Sequence, residues 1–159
     1  MRVHFLSLIY AIGICLMLGA NLLASPASAS KIEANVDIHP DTLNLKAGGK
    51  WVTAYIELPE EYNVSDINIS TITLDDVIPA ESDPKYGFVK NPEIKDRDDN
   101  GIPELMVKFL RRAVINHVLA KWSHVIPFPE RVERTITGAF IDGETTFEGV
   151  DTVRAKHTE

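Results

Sequence analysis

The chain has 159 residues, a formal net charge of −7 and a single cysteine, Cys15. An acidic balance of this size argues against a nucleic acid or an anionic membrane surface as partner. A lone cysteine excludes an internal disulfide framework, so stability must come from the core, from an association or from a bound ion.

The N-terminal segment reads as a targeting signal. Met1, Arg2 and His4 form a weakly basic start, residues 5–23 are almost wholly apolar, and a run of Ala, Ser and Pro follows. Ala27-Ser28-Ala29 fits the small-x-small rule for cleavage, so residues 1–29 are expected to be a signal peptide and residues 30–159 a single exported domain, secreted or held at the cell surface. An uncleaved anchor is the alternative, because an apolar stretch of about this length nearly spans a bilayer. The Pro and the Ala/Ser run favour cleavage. Cys15 does not suggest a lipoprotein, since Ile14 precedes it where a small residue is needed. Cleavage would remove Cys15 and Arg2, leaving a domain without cysteine and slightly more acidic.

The remainder is predicted to be mostly strand. Residues 34–40 and 42–45 alternate apolar with polar side chains around a Pro-Asp turn, with His39 as a turn residue. Gly48-Gly49 suits the positive φ angles of a tight hairpin. The strand after it puts Val52, Ala54, Ile56 and Leu58 on one face and Trp51, Thr53, Tyr55 and Glu57 on the other. In "INISTITL", Ile67 and Ile69 are out of phase with Ile72 and Leu74, which predicts a bulge or two short strands. Residues 78–103 are rich in Pro and charge and read as an irregular excursion. "ELMVKFL" returns to period two with Leu105, Val107 and Phe109 on one face. Residues 111–122 carry the one good helical pattern, with Val114 and Val118, and with Ile115 and Trp122 as further members; Pro127 and Pro129 are expected to end it. A hairpin around Asp142-Gly143 and a last strand, "VDTVRAK", complete the chain. The fold class expected is all-β: an antiparallel β-sandwich of about seven strands, immunoglobulin-like in general architecture, with one short inserted helix.

The stretch "DRDDNGIPE" crowds acidic side chains directly before the strand "ELMVKFL". Set against a calcium-binding loop, Asp96, Asp98 and Asn100 take positions one, three and five. Gly101 falls at six, the carbonyl of Ile102 at seven and Glu104 at nine. Alternating oxygen ligands and a Gly that turns the chain sharply suit a hard seven-coordinate cation, so structural Ca²⁺ is the expected cofactor. Asp99, at position four, points outward and receives no ligand role. Val107 stands at position twelve, where an EF-hand carries a bidentate Glu, so the loop is EF-hand-like only, anchored on a strand and completed by position nine or by a residue from elsewhere. The plain alternative is a solvated Asp/Asn/Gly turn. Mg²⁺ fits less well, because it needs a small octahedral cage.

With this loop in place, the order of the segments "VDIHPDTLNL", "GKWVTAYIELPEEYNVSDINISTITL", "DRDDNGIPELMVKF" and "TITGAFIDGETTFEGVDTVRA" resembles a β-rich domain recurrent in exported archaeal and bacterial surface proteins, over most of residues 35–155. That domain joins an Asp-x-Asp-x-(Asp/Asn)-Gly loop to a following strand and a closing hairpin. It has no established activity; the resemblance implies a surface or accessory module. Residues 85–92 and "HVLAKWSHVIPFPERV" fit the pattern less well.

Other constellations are weaker. His117 and His124 are seven positions apart, but the helix is expected to end between them, which leaves zinc disfavoured. Neither Gly-x-Ser-x-Gly nor His-Glu-x-x-His is present, so the chain is not read as an enzyme. Trp51 and Tyr55, about 14 Å apart along one strand face, and Trp122 offer a carbohydrate-binding face as a second reading, with glycans as partners. Packing of a two-sided strand is the plainer account. A small hydrolase without a recognisable motif is the third. Two N-glycosylation sequons occur, Asn63-Val64-Ser65 and Asn68-Ile69-Ser70. The leading reading is a non-catalytic exported β-domain, stabilised by Ca²⁺, that acts in surface structure or in association with other cell-surface proteins.

Overall fold

Period-two alternation along most of the chain resolves into two packed sheets in the computed structural model, which describes residues 30–156. The expected signal peptide lies outside the described residues. The first sheet takes β1 (Lys31–Glu33), β10 (Thr146–Lys156), β9 (Arg131–Phe140), β5 (Ile67–Leu74) and β6 (Ile78–Pro79) in that spatial order, with β3 (Thr42–Asn44) also on β10. The second sheet takes β2 (Asn35–His39), β4 (Trp51–Glu57), β8 (Glu104–Leu110) and β7 (Ile94–Lys95). The fold is therefore mainly β and sandwich-like. It departs from an all-antiparallel arrangement, because β1 and β3 both pair parallel with β10.

Each inner face follows its sequence pattern. Val52, Ala54, Ile56 and Leu58 are buried, and so are Leu105, Val107 and Phe109 opposite them, while Trp51, Thr53, Tyr55 and Glu57 face outward. Across the core, Ile72, Leu74, Ile136 and Phe147 close the other side. The out-of-phase isoleucines of β5 are a real irregularity: its register with β9 shifts between Asn68 and Thr73, so Ile67 and Ile72 both turn inward. Helix α2 (Arg111–Trp122) buries Val114 and Val118 and leaves Ile115 and Trp122 packed at the core's rim. It ends before either proline, with Ser123 N–H donating to the Leu119 carbonyl at 2.8 Å.

Four further expectations change. Gly49 does adopt φ +126°, but the strands beside it do not pair: β3 lies in one sheet and β4 in the other, so the Gly-Gly pair joins two sheets and makes no hairpin. The closing hairpin and the last strand merge, because β10 runs unbroken for 11 residues and pairs with β9 over nearly its whole length. Among the described residues ten strands form where about seven were expected, several of them only two or three residues long. The excursion over residues 78–103 holds β6, the short helix α1 (Gly87–Lys90) and β7.

The two sheets meet closely where the chain leaves the first sheet after β1 and enters the second as β2. A Cβ on Gly149 would lie 2.3 Å from Val36 Cγ2 and 2.6 Å from the Ala34 carbonyl, so only glycine allows β10 to pass the β1–β2 crossing. Asp151 then seals the outer edge of β2 by accepting the Ile38 N–H at 2.8 Å.

Candidate metal centre

The acidic loop hangs between β7 and β8, and β8 begins on Glu104, a carboxylate only 6% exposed. Its backbone turns sharply at Asp99 and Gly101, with φ of +58° and +92°. Asp tolerates the left-handed region better than most residues, and Gly adopts it freely. Asp99 thus has a conformational role in the turn.

The loop's side-chain oxygens are fixed by its own N–H groups. Asp96 accepts from the N–H of Asn100 at 3.1 Å and from Gly101 at 2.8 Å. Asp98 accepts from the Asn100 N–H at 3.2 Å, and Asn100 Oδ1 accepts from the Ile102 N–H at 2.7 Å. Glu104 Oε2 accepts from the Arg97 N–H at 2.8 Å, which ties position nine back to position two.

One residue that sequence reasoning placed only on an outward strand face joins this group. Glu57, the last residue of β4, offers a carboxylate oxygen that lies with those of Asp98 and Glu104 inside a mutual 4.8 Å. The Asn100 amide nitrogen donates into the same space, to Glu57 Oε2 at 2.7 Å and Asp98 Oδ2 at 3.2 Å. Of the expected ligands, Asp98 and Glu104 are thus brought together with Glu57. Asp96 has both oxygens turned onto backbone N–H groups, and Ile102 takes part through its N–H. The only hint of Glu57 in the sequence was its outward phase on β4; that β4 and β8 are neighbours is a tertiary fact.

Beside this trio lies a second acidic group, Asp37, His39 and Asp41. It already has an internal cation. The Arg97 guanidinium pairs with Asp37, approaches His39 Nε2 at 3.3 Å and lies 4.0 Å above the Tyr55 ring. His39 bridges Asp37 at 2.9 Å and Asp41 at 3.0 Å. Burial pushes the Asp37 carboxyl up, but the hydrogen bonds and charges of His39 and Arg97 outweigh it and hold the group below its ordinary value of 3.8.

The aromatic face of β4 is largely occupied by the protein itself. Arg97 covers Tyr55, and Trp51 meets Tyr86 and Phe88 edge-on with ring centres 5.1 and 5.5 Å away. Lys50 lies above Trp51 and Tyr86, and Lys108 above Phe88. Trp51 and Tyr55, the two residues that the sugar-platform reading set on this strand face beside Trp122, therefore do not present a shared open plane.

A buried ion pair, unforeseen from sequence, sits under α2. Arg134 is 1% exposed, and its Nη1 lies 2.6 Å from Asp75 Oδ2, a charge contact without the alignment of a hydrogen bond. Burial pulls the Arg134 guanidinium below its usual range, with Asp75 opposing. His117 reaches the same carboxylate at 3.3 Å, so this histidine has a structural partner. Compared with known proteins, the chain matches no family model, no curated sequence and no solved structure.

Proposed function

We propose that the loop from Asp96 to Glu104, completed by Glu57, binds one Ca²⁺ ion that staples β7, β8 and β4 together. The domain is then a non-catalytic exported module, immunoglobulin-like in general arrangement, serving surface structure or protein association. The observation that supports the ion best is the convergence of Glu57, Asp98 and Glu104 within 4.8 Å. Three carboxylates at such spacing repel one another by an amount that rises as the local dielectric falls. A divalent ion reverses the sign of that interaction. The Asn100 amide nitrogen, donating to two of the carboxylates, gives only a dipole where the ion would give a full double charge.

Glu57 fills the role that Val107 cannot. An EF-hand closes its shell with a Glu three residues beyond position nine, but here that position is a buried core residue of β8. The neighbouring strand supplies the carboxylate instead. Asn100 would then turn its Oδ1 inward, and Asp96 would share an oxygen now held by loop N–H groups. Oxygen-only ligands on a flexible loop favour Ca²⁺ over Mg²⁺. Calorimetric titration with CaCl2 tests the reading: one ion per chain is expected, with binding lost in Asp98→Ala and weakened at least tenfold in Glu57→Gln. Heat from Ca²⁺ that both variants retain unchanged would refute it.

A further inference from the structure

We propose that Asn63 and Asn68 are acceptors for N-linked oligosaccharide. Both asparagines begin an Asn-x-Ser triplet, and both triplets take the same local form. Asn63 Oδ1 accepts from Ser65 N–H at 2.9 Å and from Ser65 Oγ at 2.7 Å. Asn68 Oδ1 accepts from Ser70 N–H at 3.2 Å and from Ser70 Oγ at 2.7 Å. In each case the oxygen is turned onto the chain, and Nδ2 has no protein partner among the described residues. Asn35 and Asn100 commit Nδ2 to the carboxylates of Glu57 and Asp98 and so differ; Asn44 shares the backbone bond from the residue two positions on but has Lys46 there in place of the hydroxyl that a sequon requires.

The surroundings also suit a large hydrophilic group. Asn63 is exposed in the loop before a short 3-10 turn (Val64–Asp66), and Asn68 lies where the β5 register breaks. At Ile67 and Asn68, β5 pairs with β9 on one side only, because β6 reaches no further than Thr73 and Leu74. That leaves an unpaired edge, the kind of surface that templates edge-to-edge association. Exposed apolar side chains stand on the opposite, β9 side of the same segment: Ile141, 70% exposed, whose N–H donates to the Asp66 carbonyl, and Tyr62, 37% exposed, packed on Phe140. A glycan on Asn68 would shield the open edge, and one on Asn63, next to Tyr62 in the chain, would shield this patch.

The chemistry is a substitution without redox change. The donor is a polyprenyl-phosphate-linked or pyrophosphate-linked oligosaccharide, and a membrane transferase is the catalyst. Nδ2 attacks the anomeric carbon, the bond from that carbon to phosphate oxygen breaks, and the lipid phosphate leaves. The nitrogen's proton passes to a base of the transferase. The inference rests on export of the chain but not on the calcium ion.

Mass spectrometry of the full-length gene product purified from its own host tests it. The tryptic peptide spanning residues 51–85 contains both sequons and is expected to carry a glycan on Asn63 and on Asn68. Ser65→Ala should abolish the first and Ser70→Ala the second, while Ser65→Thr and Ser70→Thr should keep them. Unmodified asparagines in the wild-type peptide overturn the proposal, whichever N-terminus the protein has. The N-terminus read in the same measurement judges export separately.

Discussion

Glu104 and Asp98 converge on the same space, but only Glu104 is buried and tied to the loop backbone by the Arg97 N–H. Removing its carboxylate deprives the Arg97 N–H of a charged acceptor, a hydrogen bond of a kind worth about 1.5–3 kcal/mol. Glu104→Ala should therefore lower stability in urea even in the presence of EDTA, whereas Asp98→Ala should change only the response to Ca²⁺. Equal losses in EDTA would show that the two carboxylates do not differ in this way. Asp37 titrates with a depressed folded value, so its contribution is present above 3.8 and is lost as the pH falls through the folded value below it. Acid unfolding of Asp37→Asn should be shallower than that of the wild type in this window, read by fluorescence. Arg134 is a different case, because it is fully buried and its partner Asp75 is largely shielded, with a side chain 10% exposed. Arg134→Met leaves the Asp75 carboxylate with only His117 and the Thr135 N–H as partners and should cost at most about 3–5 kcal/mol, and Arg134→Met with Asp75→Asn should recover much of that loss. Additive losses in the double-mutant cycle would mean that the 2.6 Å contact carries no coupling.

Among the elements, the tightest constraint falls where β10 passes the β1–β2 crossing. Gly149→Ala forces a methyl group into Val36 and the Ala34 carbonyl, and overpacking of this kind costs about 1–3 kcal/mol. A drop in urea midpoint with unchanged slope would register it. Elements with a full period were readable in the sequence. β4 alternates over seven residues, β8 carries Leu105, Val107 and Phe109 on one face, and α2 repeats its apolar positions every three or four. β1, β6 and β7 were not readable, since two or three residues carry no period. Nor was the parallel addition of β1 and β3 to β10, because hydrophobic alternation says nothing about which strand is a neighbour. The Gly48-Gly49 pair misled for the same reason: a turn signal fixes a local φ, while the partner sheet is set by the core. At the site, Asp98 and Glu104 followed from loop spacing, but Glu57 lies more than forty positions away in the chain and joins only through β4–β8 pairing.

At the scale of the whole molecule, a domain without disulfides carries a strand-to-strand bridge of carboxylates on one side of the second sheet and a buried ion pair under the helix. If Ca²⁺ occupies the first, the native state gains RT ln(1 + [Ca²⁺]/Kd), which is about 2.7 kcal/mol at a hundredfold excess over Kd. Carboxylates drawn from β4, the loop and β8 would make that gain a property of the sandwich and not of the loop alone. The glycans proposed at Asn63 and Asn68 would act at and beside the β5 edge of the other sheet, so the two effects should be independent. The central claim is tested most directly by thermal unfolding of the wild type and Glu57→Gln, each in EDTA and in millimolar CaCl2. The account predicts a rise of several degrees for the wild type and little or none for Glu57→Gln; equal midpoints for the wild type in both conditions would contradict it.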